Sequence, residues 1–222
     1  MTICLVTDRR RLGAAVGAGP ADWTAALEQQ VGAAVAAGVD LVQVREGDLE
    51  AAELVSLVER LVAASAGTPA RILVNDRMDV ALAAGAAGVH LKERSFRPED
   101  ARPLAPAGFL IGCSIHSAAA ALERSHAHYL MAGTVLPTIS KPEGELLGWE
   151  GLAAVVAAAA GTPVLAIGGI DLSSMGLLAS SGAAGLAAVG AFIPTAGQDI
   201  YEFVQKRVIE MRLGFDSARA VF

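Results

Sequence analysis

The stretch Ala37-Gly38-Val39-Asp40-Leu41-Val42-Gln43-Val44-Arg45 decides the fold. It reads in order as the end of an alanine-rich helix, a glycine that stops it, a short apolar run, and polar side chains where the run ends. Glycine just past the last helical turn supplies the left-handed backbone that terminates a helix. A short apolar run bounded in this way is a strand buried on both faces. Ala84-Gly85-Ala86-Ala87 and Ser181-Gly182-Ala183-Ala184 stand in corresponding places before later runs. Such a recurrence points to a closed, pseudo-symmetric sheet.

Working outward, strands are expected at Ile3–Thr7, Leu41–Arg45, Ile72–Asn75, Gly88–Leu91, Leu110–Ser114, Tyr129–Gly133, Val164–Gly168 and Gly185–Val189. Helical stretches fit between and after them: Asp22–Ala37, Leu49–Ala64, Arg77–Ala84, Pro98–Leu104, Ser117–Ser125, Trp149–Ala160, Ser173–Ser180 and Gly197–Met211. Ser117 and Ser173 read as helix caps. Eight strand–helix units in 222 residues imply an α/β chain forming one (β/α)8 TIM barrel over residues 1–222, with 213–222 as a candidate C-terminal tail. A doubly wound open sheet is the runner-up, but the first turn, Thr7-Asp8-Arg9-Arg10, lacks the glycine fingerprint of that fold. Gly13–Pro20 reads as a flexible loop after the first strand, and Thr134–Gly148 as the longest loop with a functional look.

Composition excludes several classes. A net charge of −6 argues against a nucleic-acid surface. Arg9-Arg10-Arg11 is the only basic cluster, and it reads as a solvated or local phosphate-contacting loop. No apolar run approaches the roughly 18–20 residues of a membrane span, and Ile3–Val6 is too short for a signal-peptide core. Cys4 and Cys113 lie inside apolar runs without metal-ligand spacing, as small buried hydrophobes of a reducing compartment do. The cytoplasm is therefore expected. The apolar end of the chain leaves a homodimer open.

Polar side chains gather where the strands end. Gln43 and Arg45 follow the second strand, Asn75 and Asp76 the third, His90 closes the fourth, Ser114 the fifth, and Thr138, Ser140 and Lys141 follow the sixth. So many hydrogen-bonding groups at buried strand ends are expected to face a polar ligand. His90 equally fits a satisfied core position. Ile167-Gly168-Gly169-Ile170 and Val189-Gly190 follow the last two strands, where barrels commonly hold a phosphate against backbone N–H groups. Gly168, Gly169, Val189 and Gly190 are the expected phosphate donors. His116, just past the fifth strand, either carries a proton or closes a hydrogen bond with a neighbouring loop. His126 and His128 precede the sixth strand and read as structural or solvated.

Six strings, Val42-Gln43-Val44-Arg45, Val74-Asn75-Asp76, Gly88-Val89-His90-Leu91, Gly112-Cys113-Ser114-Ile115-His116-Ser117, Pro137-Thr138-Ile139-Ser140-Lys141 and Ile167-Gly168-Gly169-Ile170, fall in the order of the thiamine phosphate synthase/TenI superfamily. The chain resembles that superfamily from Thr7 to about Phe192. The resemblance implies a barrel that binds a small phosphorylated thiazole, with no nucleic-acid or membrane partner. In the synthase branch a pyrimidine diphosphate is joined to thiazole phosphate, and Mg²⁺ neutralises the departing diphosphate. That branch carries a lysine where this chain has Gly47, and a metal-binding aspartate where it has Ser95, with Lys92 and Arg94 adding positive charge nearby. Asp76 remains as a metal ligand under the synthase reading, with Glu93 as a substitute for the missing carboxylate.

Val44-Arg45-Glu46, the Leu91 to Pro98 segment and Gly112–Ser117 resemble the TenI branch more closely. That resemblance implies a thiazole tautomerase that needs no metal or other cofactor, with His116 as its acid/base. Thiamine phosphate synthase is the alternative, and a non-catalytic binder of thiazole or thiamine phosphate a third reading.

Overall fold

The computed structural model describes residues 1–138 and 145–219. Eight parallel strands run in the order β1 to β8 and close as a barrel. They are β1 Thr2–Val6, β2 Leu41–Val44, β3 Arg71–Asn75, β4 Gly88–Leu91, β5 Leu110–Ile115, β6 Tyr129–Ala132, β7 Val164–Ile167 and β8 Gly185–Ala188. The helices are α1 Arg9–Val16, α2 Trp23–Ala36, α3 Ala51–Ser65, α4 Met78–Ala83, α5 Pro98–Ala101, α6 Ala118–Glu123, α7 Gly148–Ala158, α8 Met175–Ser180 and α9 Ile200–Arg219. The fold is a (β/α)8 TIM barrel, as expected from the repeat. Gly38, Gly85 and Gly182 all take positive φ at helix ends, which is why the glycine recurs.

Two compact units make up the chain. One contains Ile3–Val89 and Ala188–Glu210. Here β1 pairs with β2 and β2 with β3, in a register that sets Val6 beside Gln43 and Gln43 beside Leu73. All four residues of β2 are buried. Leu54, Leu57, Val58 and Leu61 form the inward face of α3, at the 3–4 spacing of an amphipathic helix. Each such buried side chain contributes roughly 2 kcal/mol of hydrophobic stabilisation.

The other unit contains Met1–Thr2, His90–Ala187 and the residues from Met211 onward. Its strands β5 to β8 pair in sequence, with Gly112 beside Tyr129 and Ser114 beside Met131. Ile111, Cys113 and Ile115 are fully buried. Burial raises the Cys113 thiol to about 11, and in the first unit the Cys4 thiol to about 12, so both are packing groups rather than nucleophiles.

Several local expectations change. The Arg9-Arg10-Arg11 triplet is the first turn of α1 and not a loop, because the Asp8 side chain accepts from Arg11 N–H and caps it. The expected loop 13–20 therefore begins inside a helix; Gly13 is required there because a Cβ would fall 2.0 Å from Trp23 Cδ1. Ser117 does cap α6 by accepting from Ala120 N–H. Ser173 is not a cap: Asp171 accepts from Ser174 N–H, and Ser173 Oγ donates to Asp171. Residues 213–219 are helical and Phe215 is fully buried, so that part of the expected tail packs.

Candidate functional site

At the C-terminal ends of β1 to β3, Gln43 is buried and its Nε2 donates to Asn75 Oδ1 at 2.8 Å. Gln43 Oε1 is buried without a hydrogen-bond partner. A buried amide oxygen left unpaired is costly, and an incoming N–H donor would relieve it. Asp76, next in the chain, holds a left-handed backbone at φ 62. Thr7 Oγ1 accepts from Arg45 N–H, while the Arg45 guanidinium is 43% exposed and only loosely paired with Asp8, at 3.9 Å.

Glu46, next to Arg45 in the chain, belongs to a cluster that local sequence patterns do not show. The Arg9 backbone N–H and Nη1 both donate to the buried Glu46 carboxylate, and Nη1 and Nη2 clasp Asp48 at 2.6 and 2.7 Å. Asp48 is held down to about 2, chiefly by the Arg9 hydrogen bond. Glu46 moves the other way: burial outweighs the hydrogen bonds from Thr7 and Arg9 and raises it. Arg9 itself is raised, first by Asp48. In the loop after β8, Val189 precedes a 3-10 turn, Gly190–Phe192. The Arg11 guanidinium lies against Gly190, since a Cβ there would stand 2.8 Å from Nη2.

In the other unit, His90 is fully buried between two hydroxyls, Tyr129 Oη at 2.9 Å and Ser114 Oγ at 2.8 Å. His116 is exposed; its Nδ1–H donates to Gly133 O, and its backbone N–H donates to Glu93 Oε1 at 3.1 Å. Gly168 and Gly169 have positive φ, and added Cβ atoms would strike Thr134 and Leu136. Close packing of the loop after β6 on the loop after β7 thus demands both glycines without reference to a phosphate. Leu136 N–H donates to Gly168 O across the same contact. Thr138 is half-buried. Ser140 and Lys141 lie outside the described residues. His128 accepts from Ile111 N–H, a structural bond, and His126 is exposed.

The strand order and the polar side chains at the strand ends define a parallel (β/α)8 barrel with hydrogen-bonding groups gathered there. The sequence signature of the family described as thiamine monophosphate synthase matches residues 14–192, and the chain belongs to that family. It is 37% identical over 183 residues to the thiamine-phosphate synthase of Neisseria meningitidis serogroup B, covering 81% of this chain and 85% of that one. It is 36% identical over 158 residues to the thiamine-phosphate synthase of Methanospirillum hungatei, covering 70% and 77%. Among solved structures it resembles the thiamine phosphate pyrophosphorylase of Pyrococcus furiosus, with 30% identity, a TM-score of 0.79, and coverage of 98% and 96%.

These relatives overturn the tautomerase expectation and its TenI branch assignment, because the names they carry are those of the synthase. Gly112 makes room for Tyr129, and Ser114 pairs with buried His90, so the Gly112–Ser117 string answers first to packing in β5. The tautomerase role of His116 falls with the tautomerase reading, which the names of the relatives overturn.

The family's chemistry implies Mg²⁺. Among the described residues, no group of three or more His, Cys, Asp or Glu side chains gathers to hold a metal. Ser95 replaces one expected carboxylate, and Glu93, its expected substitute, accepts a hydrogen bond from His116 N–H. A protein-held Mg²⁺ prefers hard carboxylate donors, and these residues do not fit one.

Proposed function

We propose that this chain is a transferase of the thiamine-phosphate synthase type, joining hydroxymethylpyrimidine diphosphate to thiazole phosphate with release of diphosphate. The observation that carries the reading is identity of 36–37% to enzymes of that name across 70–81% of the chain. In the unit of β1 to β3, the buried unpaired Gln43 Oε1 would accept from a ligand N–H, and the exposed Arg45 guanidinium would meet phosphate charge. Asn75 holds Gln43 in place for that contact. In the same unit, Val189 and Gly190 on the loop after β8 would offer backbone N–H groups to a phosphate, and in the other unit Gly168 and Gly169 on the loop after β7 are candidate donors in their own right. The substrates are small phosphorylated molecules. No helix among the described residues is long and apolar enough to cross a membrane, and two buried, unpaired thiols suit a reducing compartment.

The test is direct incubation of the purified protein with both substrates in the presence of Mg²⁺. Formation of thiamine phosphate with stoichiometric diphosphate release is expected. Absence of coupled product, with both substrates recovered intact, would overturn the reading.

A further inference from the structure

Side chains from β4, β5 and β6 form a hydrogen-bonded row, Tyr129 Oη to His90 Nδ1 and His90 Nε2 to Ser114 Oγ. His90 has no solvent exposure and Tyr129 only 5%. The row is fixed by packing at its inner end. Gly112 is the register partner of Tyr129, and a Cβ there would stand 2.1 Å from Tyr129 Cζ and 2.5 Å from Oη. Glycine at 112 is what lets the phenol reach the imidazole. Ser114, half-buried at the other end, is the row's outlet.

A neutral imidazole has one N–H donor and one acceptor nitrogen, so such a row has a direction. In one arrangement Tyr129 O–H donates to Nδ1, Nε2–H donates to Ser114 Oγ, and the serine proton is left to point away from His90. In the other, Ser114 O–H donates to Nε2, Nδ1–H donates to Tyr129, and serine can only accept from outside. A phenol is the stronger acid of the two hydroxyls and the poorer acceptor, because its oxygen is conjugated with the ring. The first arrangement is therefore favoured.

We propose that His90, directed by Tyr129, is a positioning residue that makes Ser114 present its hydroxyl as a hydrogen-bond donor to an acceptor atom of the ligand. His90 does not touch the ligand; it sets the polarity of a group that does. The identity of the ligand rests on the synthase reading, whereas the direction of the row does not.

Two measurements test this. Nitrogen-15 NMR of histidine-labelled protein without substrate should find His90 protonated at Nε2, and Tyr129→Phe should shift it towards the Nδ1–H form. His90 found protonated at Nδ1 in the wild type overturns the proposal, whatever the protein's activity. In the coupling assay, Tyr129→Phe should lower kcat/KM about tenfold, the size expected for one weakened neutral hydrogen bond. In a Ser114→Ala background the same change should cost less than about twofold, since the positioned group is gone. Equal losses in both backgrounds would mean that Tyr129 acts only on packing and would also overturn the proposal. Failure of the wild type to couple the substrates would sink the synthase reading alone, and the NMR result would still decide the direction of the row.

Discussion

The ends of β1 and β2 hold a buried arginine between two carboxylates, whereas the ends of β4 and β5 hold a buried histidine between two hydroxyls. Both arrangements satisfy polar groups that a strand end would otherwise leave stranded. They differ in what they fix. The Arg9 cluster clamps the segment around Arg45 by Coulomb attraction and bears the desolvation of Glu46, so it is strong, costly to break and sensitive to pH. The His90 row is built from a phenol, an imidazole and an aliphatic hydroxyl, needs room made by a glycine, and fixes the direction of a proton more than the strength of a contact.

The largest effect should come from opening the charged cluster. Glu46→Ala removes the carboxylate that accepts from both the Arg9 backbone and its guanidinium, leaving a largely buried cation with Asp48 alone. A loss of about 3 kcal/mol is expected, at the lower end for a broken buried pair because Asp48 remains. Urea unfolding measures it; a loss below about 1 kcal/mol would mean that Arg9 turns out to water and that the cluster is no clamp.

Gly112→Ala attacks the histidine row by packing. The new methyl meets the rigid ring of Tyr129, not a flexible chain end. About 2 kcal/mol of destabilisation is expected, in the range for overpacking a close-fitted core. The same unfolding series checks it, and wild-type stability in this variant would show that Tyr129 moves aside freely.

The two carboxylates of the Arg9 cluster should part company in acid. Asp48 is lowered from 3.8 to about 2 by Arg9, so its contribution is present above about pH 4 and lost as the pH falls towards 2. Glu46 is raised by burial, so its contribution has the opposite sign, present in full below its unfolded value and lost as the pH rises through its folded one. Asp48→Asn should therefore flatten the acid limb of the stability profile by about 1 kcal/mol after allowance for solvent screening. Denaturant midpoints between pH 2 and 6 would show it, and an unchanged acid limb would locate the acid-sensitive carboxylates elsewhere.

The barrel was legible because its strands are uninterrupted apolar runs: Gly88–Leu91 has the expected bounds, and the other seven strands differ by one or two residues at their ends. α1 was not, since three arginines before the glycine-rich stretch 13–20 look like a loop until Asp8 is seen to cap them and Trp23 to fill the space at Gly13. At the candidate site, Gln43, Asn75, Ser114 and His90 were named from strand ends, and the structure pairs the first two with each other and the last two with each other. The pairing of Arg9 with Asp48 was missed because the two meet across 39 residues of chain, a distance no local pattern spans. Tyr129 was read only as the start of a strand. An isolated glycine inside a strand marks a close approach, and Gly112 was the available signal for it.

A final substitution separates steric demand from ligand contact. Gly190→Ala makes the same chemical change as Gly112→Ala, and its Cβ also arrives within 3 Å of a neighbour, 2.8 Å from Arg11 Nη2. That neighbour is the far end of a flexible side chain rather than a rigid ring, so a cost of about 1 kcal/mol, below that of Gly112→Ala, is expected by thermal unfolding. If the loop after β8 also receives a phosphate, the added methyl and the displaced guanidinium will weaken thiazole phosphate binding while the protein stays folded, a split that isothermal calorimetry can read. A stability loss as large as that of Gly112→Ala would show instead that Arg11 is locked in place, and that the loop after β8 is packed as tightly as β5 is against Tyr129.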